Sequence, residues 1–174
     1  HEAGHAVVSW YLPSQKDVKE ISIVPRGVAG GYTMYKSDED KSYISKTEML
    51  EKLIALLGGR AAEKIALDDI STGASNDIEI ATQIARDMVI KYGMSDIIGP
   101  ISLKDENGEY PLEMFGENIG DEIGKEVKEL IDTAYNDAQT ILREHYDKLE
   151  GIAERLLIKE KINSEEFASF FTND

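Results

Sequence analysis

His1-Glu2-Ala3-Gly4-His5 is the stretch from which the rest of the chain is read. Residues four apart share a helix face, so His1 and His5 can turn both imidazoles toward one metal ion. Glu2 then falls beside the remaining coordination position. A zinc hydrolase uses this pattern: the ion lowers the pKa of a bound water and polarises a carbonyl, while the glutamate carries a proton from water to leaving group. With 3 His and 20 Glu in 174 residues, chance supplies roughly 0.006 such motifs, which disfavours accident. The competing reading is a surface helix start with solvated His and Glu. The motif also lacks the preceding turn that would begin its helix, so the chain is expected to be a fragment of something longer.

Composition bounds the rest. The chain has 174 residues, 41% hydrophobic and 30% charged, which describes one ordinary globular domain with a real core. A net charge of −15 argues against nucleic acid or an anionic membrane surface as a direct partner. There is no cysteine, so a metal would need His and carboxylate ligands. No apolar run reaches the length of a membrane span.

Outward from the motif, Ala6 to Leu12 continues a helix that Pro13 and Ser14 stop. Val18 to Val24 alternates like a strand, and Tyr32-Thr33-Met34-Tyr35 reads as a second. Together they predict a small sheet beside the motif helix. Its edge either binds an extended peptide through main-chain hydrogen bonds or only packs on the helix. Lys36 to Ser45 reads as a polar loop. Lys46 to Leu67 reads as a helix, with Leu50, Leu53, Ile54, Leu57, Ala61 and Ile65 on one face. Gly58-Gly59 either admits a close backbone approach or breaks it. The turn-rich segment from Asp68 to Asn76 leads into a helix from Asp77 to about Tyr92. Ile101 to Leu103 reads as a short extended piece, followed by an Asn107-Gly108 turn. Two amphipathic helices follow, from about Asn118 to Glu144 and around Leu149 to Leu157. A short last helix, Glu165 to Phe171, is capped by Asn163-Ser164. The fold class is therefore mainly α (α+β).

A catalytic zinc has three protein ligands and one open position. No HxxGxxH continuation follows His5, and His145 lies on the apolar stripe of the long helix without motif context. The third ligand is thus expected to be a carboxylate among Glu63, Asp68, Asp69 and Asp77. Asp77 heads a buried stripe and is preferred, with Glu63 second. Glu63 also suits hydrogen bonding to a ligand, or a plain ion pair with Arg60. Asp77 also suits a first-turn carboxylate on a helix dipole.

HEAGH, SIVPRG, LLGGRAAE, STGASND and YGMS, in this order, resemble the peptidase domain of the FtsH family of membrane-anchored AAA+ zinc metalloproteases. The resemblance runs from His1 to about Leu157. It implies Zn2+ held by His1, His5 and Asp77, with Glu2 as catalytic base and Glu63 near the site. It further implies a helical metallopeptidase domain with a small sheet, unfolded protein or peptide as substrate, the protein's own upstream AAA+ ATPase as partner, and a homo-hexamer. The full-length protein would be anchored in a membrane with this domain on the cytoplasmic side. The sequence has no Walker A motif, so residues 1–174 are expected to form the metallopeptidase domain alone. Two rival expectations remain: a hexameric assembly domain silent without its ATPase, and a zinc hydrolase of non-peptide substrates.

Overall fold

The computed structural model describes residues 1–15, 17–27, 30–36 and 43–172. It comprises six α-helices and three short strands: α1 (Glu2–Trp10), β1 (Val18–Ser22), β2 (Tyr32–Tyr35), α2 (Lys46–Leu67), α3 (Ser75–Ile90), α4 (Ile119–Glu144), α5 (Tyr146–Lys159), β3 (Lys161–Asn163) and α6 (Ser164–Ser169). The fold is mainly helical with a small antiparallel sheet of order β2-β1-β3. Residues 37–42 of the expected polar loop lie outside the described residues.

α2 starts where the sequence places it. Ser45 accepts a hydrogen bond from the Glu48 N–H, and the Glu48 carboxylate accepts one from the Ser45 N–H, a reciprocal capping box. The helix runs unbroken through Gly58-Gly59 because α1 crosses it there. A Cβ on Gly4 would stand 2.5 Å from both the Gly58 carbonyl oxygen and the Ala62 Cβ. Small residues on both helices let the backbones touch. Seven of the nine residues of α1, Ala3 to Ser9, are buried, as its all-round apolar character predicts.

The sheet differs from the expected two-stranded one in two respects. β3 completes it, pairing Ile162 with Ile21, where the sequence signals only the Asn163-Ser164 cap. Asn163 performs both tasks, since its side chain also caps α6. β1 ends at Ser22, not Val24, and Val18 and Ile21 are both buried despite odd spacing. A register irregularity between Val18 and Glu20 shifts the strand's parity and brings both to the core. Ile101–Leu103 joins no sheet; Leu103 is fully buried within a loop.

One core packs α1, the sheet, α4, α5 and α6 together through Val7, Ile21, Leu142, Ile152 and Phe167. A second joins α2, α3 and α4 through Leu53, Leu57, Ala81, Met88 and Ala134. α1 and α2 touch where these cores meet, and there the motif's side chains sit.

Candidate metal centre

One helical turn brings the imidazoles of His1 and His5 together, with ring centroids 4.8 Å apart and planes at 75°. Their Nε2 atoms are 3.1 Å apart. Asp77, in the first turn of α3, places Oδ2 3.3 Å from each of those nitrogens. Among the described residues, these three side chains form the group able to hold a metal ion. The spacing suits zinc: tetrahedral bonds of about 2.0–2.1 Å separate neighbouring ligand atoms by about 3.3–3.4 Å.

The far nitrogens have their own partners. His1 Nδ1 lies 2.7 Å from Glu63 Oε1, and His5 Nδ1 lies 2.9 Å from the Ala55 carbonyl oxygen. A carbonyl or a carboxylate accepts only, so each ring donates from Nδ1 and keeps its Nε2 lone pair directed inward. Two lone pairs and a carboxylate oxygen facing one another require a cation or a proton among them. This is a donor set that fits a divalent metal.

His1 is held above the ordinary histidine range, chiefly by its hydrogen bond to Asp77; burial opposes this and Glu63 adds to it. Burial pushes the Asp77 carboxyl up, yet the His1 and His5 rings beside it outweigh burial and hold Asp77 well below the usual carboxylate range. Glu63 is lowered likewise. Burial raises it, while the Ser71 N–H and His1 pull it down more strongly.

Glu63 serves two elements at once. Its buried carboxylate takes His1, the Ser71 N–H at 2.7 Å and the Ser71 hydroxyl at 3.0 Å. The Ser71 hydroxyl oxygen accepts in turn from the Gly73 N–H at 3.1 Å. That contact shapes the 3-10 turn Thr72–Ala74 leading into α3 and Asp77. The residue that orients His1 therefore also fixes the approach to Asp77.

Gly59 gives the histidines their space. A Cβ there would lie 2.6 Å from both His1 Nε2 and His5 Nε2, so the rings lean directly on the α2 backbone. Glu2, half-buried in the first turn of α1, accepts a hydrogen bond at Oε2 from the Thr33 hydroxyl at 2.9 Å. Asp68 and Asp69 lie elsewhere: both are exposed, Asp68 pairing with Lys64 and Asp69 capping the Ile70 N–H. His145 stacks on Tyr11 at 3.7 Å between α4 and α5.

Ala55, Ser71 and Thr33 carry no signal of these roles in the sequence. The Ala55 contact is a backbone carbonyl and leaves no side-chain signal. Ser71 stands in a turn-rich run that suggests only capping, and Thr33 looks like any strand residue. The glycine pair in α2 was the one legible hint that something approaches that backbone.

The model of Peptidase family M41 matches residues 1–170. The chain is 49% identical over 181 aligned residues to an ATP-dependent zinc metalloprotease FtsH of Caldicellulosiruptor bescii, covering 100% of this chain and 29% of that protein. It is 48% identical to an ATP-dependent zinc metalloprotease FtsH 1 of a Thermoanaerobacter species, covering 100% and 30%. It is 43% identical to an ATP-dependent zinc metalloprotease FtsH of Thermotoga maritima, covering 100% of this chain and 30% of that protein. The chain thus spans under a third of the length of these relatives.

Proposed function

The chain belongs to Peptidase family M41, and from that premise we propose that it is a zinc-dependent endopeptidase acting on unfolded polypeptide. The observation that carries this reading is the convergence of His1 Nε2, His5 Nε2 and Asp77 Oδ2 at tetrahedral spacing. On this reading those three residues hold the metal. Zinc there supplies Lewis acidity at an open position, polarising a scissile carbonyl and acidifying water.

The chain's own residues do the rest. Glu2 accepts the proton of the attacking water and returns it to the leaving amine. Glu63 and the Ala55 carbonyl hold the imidazole tautomers, keeping both Nε2 atoms free of protons for the metal. β2, at the edge of the sheet, offers main-chain groups to an extended substrate. Recognition through the backbone suits a protease with little sequence preference.

Residues 1–174 are proposed as one metallopeptidase domain, the proteolytic part of a longer ATP-dependent protease. The names of the relatives and the share of their length matched support this. A linked AAA+ ATPase, a ring of six copies and a membrane anchor with this domain on the cytoplasmic side are proposed from the family resemblance. Leu157 and Ile158, 78% and 75% exposed, give α5 apolar surface that an assembly can bury. No helix among the described residues is long and apolar enough to cross a membrane, so the anchor is assigned to the rest of the longer protein.

The test compares Glu2→Gln with the parent on an unstructured fluorogenic peptide and on casein, with zinc added. Glu2→Gln should bind zinc as the parent does and lose turnover by about 10²- to 10⁴-fold. A variant cleaving at the parent rate would remove the general-base reading. A hexamer that ignores both substrates with zinc bound would favour the assembly domain instead.

A further inference from the structure

The carboxylate of Glu2 is held by a strand, not by its own helix. Thr33 Oγ1 lies 2.9 Å from Glu2 Oε2 and 3.1 Å from the Glu2 carbonyl oxygen. Both are acceptors, so the hydroxyl donates; its single proton favours the nearer, charged oxygen. The Gly31 backbone, two residues before Thr33, also approaches this side chain: a Cβ there would lie 3.0 Å from Glu2 Cγ and 3.1 Å from Oε1. The side chain is thus in contact with the hydroxyl through Oε2 and close to that backbone through Cγ and Oε1. Thr33 is itself fixed by pairing across from Ile21, which is fully buried in the core.

We propose that Thr33 is a positioning residue for Glu2, holding Oε2 so that Oε1 is left to take the water's proton. This rests on Glu2 being the general base. The contact survives the proton transfer, because a hydroxyl can donate to a carboxylate oxygen and equally to the carbonyl oxygen of the acid. Glu2 therefore stays oriented while it gains the proton and while it delivers it to the amine. Because Thr33 lies on the edge strand, the element offered to substrate and the group that orients the base are one piece of backbone. A base misplaced by an ångström loses about 10²-fold in rate, and loss of an orienting hydrogen bond typically loses 10- to 100-fold.

The experiment compares Thr33→Val, which keeps the shape and removes the hydroxyl, with Thr33→Ser, which keeps the hydroxyl. Glu2→Gln is measured beside them, all as zinc-loaded protein. The readouts are kcat and KM on a fluorogenic peptide, zinc per chain, melting midpoint, and calorimetric affinity for a peptide hydroxamate, whose zinc-binding group hydrogen-bonds to the base carboxylate. Thr33→Val should lose about 10- to 100-fold in kcat with KM within about threefold. It should also keep one zinc and bind the hydroxamate roughly tenfold more weakly. Thr33→Ser should restore kcat and hydroxamate affinity to near parent values. If Thr33→Val melts early, Thr33→Ala replaces it and must show the same loss against Thr33→Ser. Parent kcat in the valine variant, or a serine variant as slow as the valine one, would overturn the proposal. Where Glu2→Gln is inactive and Thr33→Val is not, only this inference fails. Where Glu2→Gln is as active as the parent, the general-base reading fails with it.

Discussion

Gly59→Ala should leave the fold standing and empty the metal centre. The added methyl would lie 2.6 Å from both His1 Nε2 and His5 Nε2, and 2.7 Å from His1 Cε1. Non-bonded heavy atoms rest at roughly 3.5 Å, so each ring must retreat by about 0.9 Å. The rings are side-chain ends and can swing at modest cost. Their Nε2 atoms cannot, because metal–ligand distances tolerate only about 0.2 Å. Zinc affinity should fall at least 100-fold, about 2.7 kcal/mol. For the metal-free fold, alanine in mid-helix gains about 1 kcal/mol, against overpacking of about 1–3 kcal/mol. The net loss of at most about 2 kcal/mol lowers the melting temperature by no more than about 8 °C in a chain of this size. The assay is competitive zinc titration against a fluorescent chelator, with thermal melts in excess EDTA. Gly58→Ala is the contrast, since its Cβ would press on Gly4 backbone 3.0 Å away. It should destabilise the α1–α2 crossing, yet the folded fraction should still load zinc. A Gly59→Ala protein binding one zinc with parent affinity would refute the reasoning.

Asp77→Ala should lose bound zinc, whereas Glu63→Ala should retain it with affinity about 10- to 100-fold lower; metal analysis giving the reverse order would reassign the ligand. The metal-free protein should melt higher at pH 6 than at pH 9. His1 is raised in the fold, so its contribution is full below its unfolded value of about 6.5 and is lost as pH rises through the folded one. Asp77 and Glu63 are lowered, so theirs is present above about pH 4.5 and lost as pH falls through their folded values. Asp77→Asn should flatten that slope, and a melting temperature unchanged between pH 6 and pH 9 in the parent would contradict it. With zinc present the order should reverse, because protons compete with the metal for its histidine ligands, His1 above all.

The helices were legible because their signals are local. α2 announced itself by the Ser45 and Glu48 cap and by apolar spacing from Leu50 to Ile65, and α1 by its motif. β3 was not, because a three-residue strand with one buried side chain, Ile162, has no periodicity to read. Its identity comes from pairing with β1, some 140 residues away in the chain. Parity in β1 was hidden for a related reason: the irregularity between Val18 and Glu20 exists only against its partner. At the site, HExxH declared two imidazoles and a carboxylate, and the buried stripe of α3 pointed to Asp77. What surrounds them depends on which backbones touch. Ala55, Gly59 and Thr33 acquire their roles only once α1 lies across α2 and beside β2.

If His1, His5 and Asp77, and not Glu63, bind the metal, the ion must lie among those three side chains. Anomalous diffraction at the zinc edge from crystals of the zinc-loaded protein tests it directly. One peak is expected within about 2.0–2.2 Å of His1 Nε2, His5 Nε2 and an Asp77 carboxylate oxygen, with Glu63 remaining on His1 Nδ1. A peak bonded to Glu63 in place of Asp77, or none between the two histidines, would contradict it.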